Sequence, residues 1–289
     1  MFAIAGVSGN TGKVAAETLL ARGEKVRVIV RDAAKGESFA KRGAEVAVAD
    51  LGDVQSLTRA LSGVKGAYLL IPPNPTAPSI VAYQRATSEA MAAAVREAQV
   101  PHVVFLSSIG ANLPSGTGPI AVHYHNEALF RAIEGTRTTF IRAAYFMDNL
   151  AGSLGAVGQG IVPSFFPASF AFAMVATKDI GELAAERLVR GKESPPATSV
   201  VNLGAAPVSM NDVATDIGRI VGKTLTVAEA PTSSMVATLS GYGVPKEMAE
   251  LYREMTDAIV AGRIVWEPGH ELVPGKTPVG EVLRGLLGK

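Results

Sequence analysis

At 289 residues the chain is long enough for one large α/β domain, or for one such domain with a smaller lobe. Its 27 basic and 26 acidic side chains are interleaved rather than blocked, which excludes an electrostatic footprint for direct nucleic-acid or anionic-membrane binding and leaves a small molecule as the expected partner. With no cysteine there is no disulfide framework, thiolate nucleophile or thiolate metal site, a composition that suits the reducing cytoplasm.

The opening Met-Phe-Ala-Ile already reads as strand, leaving no room for the basic start of a signal peptide. That strand, residues 2–5, feeds the turn Gly6-Val-Ser-Gly9-Asn-Thr-Gly12, then a helix, then a second strand, 25–30, closing on Arg31. Strand, glycine turn and helix in this order are a dinucleotide signature: the helix offers free backbone N–H groups and a positive dipole end to a pyrophosphate. The spacing is G-x-x-G-x-x-G, one residue longer between the first pair than the usual G-x-G-x-x-G. Further strands are expected at 45–48, 66–71, 102–106 and 138–142, with helices between them, which predicts a Rossmann-type, doubly wound parallel sheet. Residues 72–78 carry four prolines, a stiff loop after the fourth strand. The uncharged stretch 149–177 is too interrupted by glycine and proline to span a membrane. Helix 178–190, strand 198–203, helix 211–221, strand 225–228 and a mostly helical remainder follow, with Thr177 and Ser209 read as helix caps. The expected organisation is a cofactor-binding domain over 1–150 and a smaller α/β substrate lobe over 151–289, with room for the chain to cross back between them.

In a doubly wound sheet the ligands lie beyond the carboxyl ends of the strands. Arg31 at the end of the second strand suits a ribose 2′-phosphate, so NADP(H) is expected over NAD(H), with Lys35 adding positive charge. Asp32 reads as the cap of the next helix. Asp50 either meets the adenine amino group or forms a turn ahead of Gly52 and Asp53. Ser107 and Ser108 follow the fifth strand, as ribose or substrate contacts or as a polar strand end. No Tyr-x-x-x-Lys pair is placed for catalysis: Tyr124 is followed by Ala128, and the later Tyr242 and Lys246 flank a proline. His123, His125 and Glu127 lack the spacing of a metal ligand set, and no metal is expected.

The glycine turn, Val28-Ile-Val-Arg31, Ala49-Asp-Leu-Gly-Asp53, His123 four residues ahead of Glu127, the run from Thr139 to Asn149, and Gly275-Lys-Thr-Pro278 together resemble the NmrA-like branch of the atypical short-chain dehydrogenases and reductases. The resemblance covers nearly the full length. It implies an NADPH site in the first lobe and a substrate cleft between lobes, with some members reductases and others non-catalytic redox sensors that regulate through a protein partner. Carried onto this chain, the expected cofactor contacts are Gly6, Ser8, Gly9, Asn10, Thr11, Gly12, Arg31, Lys35, Asp50, Leu51, Ile71, Pro72 and Ser107. The expected substrate contacts are Pro73, Ser108, His123, Tyr145, Phe146, Asn149 and Phe165, with His123 and Tyr145 the candidates for catalysis. The absent Tyr/Lys pair favours reduction of an electron-poor aromatic acceptor, a quinone first, since a hydride from NADPH then needs only a weak proton source. A homodimer or a protein partner stays open.

Overall fold

The computed structural model describes residues 1–74, 76–191 and 197–289. In chain order the first half comprises β1 (Phe2–Ile4), α1 (Asn10–Ala21), β2 (Val26–Val30), α2 (Glu37–Ala40), β3 (Glu45–Val48), α3 (Val54–Leu61), β4 (Gly66–Leu69), α4 (Ile80–Glu97), β5 (His102–Ser108), α5 (Ala121–Arg131) and β6 (Arg137–Ala143). The second half comprises β7 (Tyr145–Phe146), β8 (Ile161–Ser164), β9 (Met174–Val175), α6 (Thr177–Gly191), β10 (Ser199–Gly204), α7 (Met210–Val221), β11 (Thr226–Glu229), α8 (Met235–Gly241), α9 (Lys246–Val260), β12 (Glu271–Pro274) and α10 (Val279–Leu286).

Eight strands form one parallel sheet in the order β12-β10-β6-β5-β4-β1-β2-β3. The order reverses at β1, whose neighbours are β2 on one side and β4 on the other, so a crevice opens there at the carboxyl edge. The central strands are apolar on both faces because helices cover both: β4 reads Gly-Ala-Tyr-Leu with every residue buried. One apolar layer joins the sheet to α1 and α6, and a second joins it to α3 and α4. The Rossmann-type parallel sheet expected from the strand and helix alternation is therefore present.

Two features of the second half differ from the expectation drawn from pattern alone, and a third shows where the chain crosses back between lobes. Strand β12, in a stretch read as mostly helix, adds to the sheet edge beside β10. It escapes notice because four residues at an exposed edge carry no run of buried side chains. Thr177 is not a helix cap: it is the first helical residue, and its hydroxyl donates to Asp148 Oδ1 at 2.7 Å. Finally, α6, β10 and β12 lie with the sheet although all follow residue 150. The smaller lobe is built from β7 paired with β9, β8 paired with β11, and helices α7, α9 and α10 around a third apolar cluster, with α8 packed on α9. Ser209 does cap α7, in a reciprocal box with Asp212. The uncharged stretch 149–177 folds as short turns and strands, and no helix among the described residues is long and apolar enough to cross a membrane.

Candidate active site

The cofactor half of the carboxyl edge is made by β1, β2 and β3. Gly6 turns the chain with φ +69°, and its carbonyl accepts the Gly9 N–H at 2.9 Å. A Cβ on Gly12 would strike the Ala5 carbonyl oxygen, so only glycine lets α1 pack this close to β1. A Cβ on Gly9 would meet nothing nearer than the Gly6 carbonyl oxygen, at 3.5 Å, so the space over the turn is open. Helix α1 begins there with no side-chain cap and no acidic residue in its first turn, leaving its N–H groups to an anion. Ser8 and Asn10 are exposed beside this space. The Thr11 hydroxyl instead faces inward and accepts from the buried Tyr68 hydroxyl at 3.0 Å, leaving only its backbone toward the turn.

At the next strand end Arg31 and Lys35 are exposed with no ion-pair partner among the described residues, while Asp32 accepts from the Ala34 N–H at 3.0 Å and caps the following turn. Asp50 Oδ1 accepts from the Gly52 N–H at 2.7 Å, the turn-forming role, with Leu51 half-buried beside it. These groups fit a dinucleotide whose pyrophosphate lies over Gly9 and whose adenosine end reaches Arg31.

The acceptor half is made by β4, β5, β6 and what covers them. Ile71 and Pro72 are half-buried and Pro73 exposed after β4; Pro75, also expected in this stiff loop, lies outside the described residues. Ser107 is 2 % exposed, and its hydroxyl donates to Glu127 Oε1 at 2.7 Å. Glu127, on α5, is gripped by Arg142 of β6 through Nε at 2.8 Å and Nη2 at 2.8 Å, a two-pronged bond, and by Arg131 at 3.2 Å. Burial works to raise the Glu127 pKa, but the bonds to Arg142 and Ser107 win and hold the carboxyl below its ordinary range. Arg142 continues to Glu267 Oε2 at 2.6 Å, and His270 meets that same oxygen at 3.2 Å. A chain of polar groups thus runs from beneath the site to the segment ahead of β12.

His123 sits one helical turn before Glu127, edge-on to Phe105 with ring centroids 6.4 Å apart. Burial pushes its pKa down to about 4 against the pull of Glu127, so the ring is neutral at pH 7, and its Nδ1 is buried without a partner. His125 points elsewhere, to Glu89 at 3.6 Å. Ser108 turns its hydroxyl to the Ile109 carbonyl at 3.1 Å. Tyr145 stands in a cage with Phe166 and Phe172, ring centroids 5.7 and 5.4 Å away, and burial raises its phenol to about 12 despite a hydrogen bond with the Asn149 side chain. Phe146 packs against the sheet core, half-buried. Phe165 is drawn elsewhere: with Phe166 it lines a cavity of about 610 Å³ beside Glu229, Asp257 and Val260, which no residue of the eight-stranded sheet lines.

The model of the NmrA-like family matches residues 1–280. The chain belongs to the NmrA-like family. Within it, the chain is 26% identical over 266 residues to quinone oxidoreductase 2 of Escherichia coli, covering 87% of this chain and 85% of that one. It is 25% identical over 257 residues to an NAD(P)H azoreductase of Xenophilus azovorans, covering 86% and 85%. The structure superposes on Citrobacter sp. triphenylmethane reductase in complex with NADP(H) at a TM-score of 0.83 and 22% identity, over 99% of this chain and 100% of that one. The identity of that superposition speaks for the fold alone. The curated relatives make this NmrA-like chain kin to NAD(P)H-dependent oxidoreductases.

In this NmrA-like protein the Tyr-x-x-x-Lys spacing late in the chain is surface chemistry: Tyr242 is 83 % exposed, and Lys246, on the next helix, pairs with Glu250 at 3.7 Å. Gly275-Lys-Thr-Pro278 anchors the chain end, since the Lys276 and Thr277 N–H groups and the Thr277 hydroxyl all donate to Asp179 on α6. Sequence reasoning quoted Glu127 and Arg142 inside motifs without giving them a task. The available signal was an arginine in the otherwise apolar run Phe140-Ile-Arg-Ala: a charge in a central parallel strand has to be paired. Asp148, in the same quoted run, was likewise given no task; its Oδ1 accepts from the Asn10 amide of the glycine turn at 3.2 Å and from the Thr177 hydroxyl of α6 at 2.7 Å.

Proposed function

We propose that the chain is a reductase that takes NADPH as its hydride source and delivers the hydride to a small, flat, apolar acceptor, a quinone in the first instance. The observation that carries this reading is the open glycine turn at the β1 crevice with Arg31, unpaired among the described residues, at the neighbouring strand end, while the adjacent acid, Asp32, is occupied as a cap. Its kinship with a quinone oxidoreductase and an azoreductase supports the acceptor class. A bound nicotinamide would supply the hydride. The chain's own part is to hold the pyrophosphate on the α1 N-terminus, clamp a 2′-phosphate with Arg31 and Lys35, meet the rest of the cofactor with Ile71 and Pro72, and wall the acceptor with Pro73, Ser108, Tyr145 and Asn149. Quinone reduction consumes one hydride and one proton, so no strong base is required. At neutral pH the uncharged His123 offers hydrogen bonding rather than an imidazolium proton. A cysteine-free chain with this cofactor belongs in the cytoplasm.

The test is NADPH and NADH consumption with benzoquinone and naphthoquinone by the wild type and Arg31→Ala. The expected result is saturable turnover preferring NADPH, with Arg31→Ala weakening NADPH about 10- to 100-fold, the worth of a charge-assisted contact, and leaving NADH nearly unchanged. Equal NADPH affinity in the variant would remove the phosphate assignment. Tight NADPH binding without turnover of any acceptor would replace the reductase with a redox sensor.

A further inference from the structure

Helices α1 and α6 both begin at the carboxyl edge of the sheet, and they are locked to each other: a Cβ on Gly181 of α6 would strike the Thr11 carbonyl oxygen of α1. One carboxylate meets the first residue of each. Asp148 Oδ1 accepts from the Asn10 side-chain amide at 3.2 Å and from the Thr177 hydroxyl at 2.7 Å, while its Oδ2 accepts the Thr177 N–H at 3.1 Å. A negative charge is favoured at the positive ends of two helix dipoles. Asp148 belongs to neither helix: it lies on the turn over 147–153 that follows β7, so its carboxylate fastens the segment carrying Tyr145 and Asn149 to both helix starts.

What these bonds hold in place is the wall around Tyr145. In the parallel pair of β7 and β9, Tyr145 lies opposite Met174 and Phe146 opposite Val175, and the bonds between Asp148 and Thr177 carry the same register two residues further. Tyr145 in turn packs on Phe166 and Phe172. The three bonds to Asp148 are not alike. Both bonds from Thr177 come from a buried residue, whereas the bond from Asn10 is the longest and its donor is exposed, beside the open space over Gly9. The link that crosses to the glycine turn is therefore the weakest one. A pyrophosphate held by the free N–H groups of α1 would immobilise the start of that helix, and with it the residue that makes this bond.

We infer that Asp148 is a positioning residue that couples the two halves of the site: with the cofactor on the glycine turn it sets the Tyr145 wall, so the acceptor binds the loaded protein more tightly than the empty one. The inference rests on the reductase reading and adds to it a residue that neither ligand has to touch. No proton or electron passes through Asp148. Its effect is preorganisation, since a wall fixed before the acceptor arrives need not be ordered by the acceptor. The coupling is reciprocal, the acceptor tightening the cofactor by the same factor. Direct contact between the two ligands adds a share of tightening that Asp148 does not control.

The experiment measures calorimetric binding of naphthoquinone to the full chain, free and saturated with NADP⁺, which has no hydride to give, in wild type, Asp148→Ala and Thr177→Val. Steady-state reduction of naphthoquinone by NADPH is then measured in each. The expected result is that NADP⁺ tightens naphthoquinone about tenfold or more in wild type and about threefold or less in Asp148→Ala, with Thr177→Val, which loses one of the three bonds, between them. KM for naphthoquinone should rise with the tightening that is lost, while NADPH binding without naphthoquinone changes less than about threefold. A purely structural role would lower the number of binding sites and kcat but leave KM and the tightening as in wild type, and that result would overturn the inference. Where Asp148→Ala does not fold, Thr177→Val decides in the same way, wild-type tightening overturning the inference. Tightening below about twofold in the wild type itself would overturn it too, leaving the reductase to stand on its turnover. Tightening that depends on Asp148 with no turnover in any of the three proteins would keep the coupling and replace the reductase with a redox sensor. No naphthoquinone binding by the wild type, free or loaded, would overturn both.

Discussion

The two halves of the carboxyl edge are built on different principles. On the side of β1 and β2 the site is backbone: a glycine turn, the start of α1 and a strand-end arginine, all within the first 31 residues. On the side of β4, β5 and β6 it is assembled at long range: Ser107, Glu127 and Arg142 from three elements, Asp148 bridging residues 10 and 177, and α9 reaching from residue 247 back to residue 80. A phosphate demands little more than donors and a positive charge, which local chain geometry supplies. An apolar acceptor demands a shaped space, and only packing makes one.

The sharpest way to break the contrast is Glu127→Ala. It leaves the Arg142 guanidinium, 4 % exposed, without its buried partner, and the expected loss is about 3–5 kcal/mol in urea unfolding. The acceptor half should fail first, with KM for quinone rising before NADPH affinity falls. A loss below about 1 kcal/mol would mean that Glu267 and water already satisfy the arginine.

Gly12→Ala strikes the other half. Its Cβ meets the Ala5 carbonyl oxygen, so α1 has to move off β1, an overpacking cost of about 1–3 kcal/mol, and NADPH binding measured by fluorescence should be lost even where the protein stays folded. Retained NADPH affinity would show that the helix end does not hold the cofactor.

The smallest effect serves as a control remote from both halves. His102 begins β5 at the opposite edge of the sheet, bonded among the described residues only to Thr139 at 3.1 Å, and burial lowers its pKa to about 4. The folded protein keeps it neutral while the unfolded chain takes up a proton below 6.5, so its contribution is full above that value and drains as the pH falls toward 4. Between pH 7 and 5.5 His102 should cost about 1 kcal/mol of stability and His123, shifted alike, a similar amount, so His102→Asn should roughly halve the slope in urea titrations. An unflattened slope would assign the acid sensitivity to other groups, His123 first.

The order of strands up to β6 was legible because apolar runs between helical patterns survive burial on both faces, and the Ser209 cap was legible because its box with Asp212 is local. Strand β12 was not: its partner β10 lies some seventy residues away, and an exposed edge imposes no pattern. The Ser107 hydroxyl was expected toward a ligand and is directed inward instead, because Glu127 beneath it is an acceptor that no reading of the fifth strand reveals.

By itself the sequence determined the Rossmann-type sheet, the glycine turn that opens α1 and the arginine at the end of the second strand, since these follow from residue type at fixed spacing along one stretch of chain. Only the tertiary structure decided that Glu127 and Arg142 pair beneath Ser107, that α6, β10 and β12 return to the sheet, and that α9 packs on the loop after β5. Those outcomes depend on which distant faces bury each other, a matter of packing that no local spacing encodes.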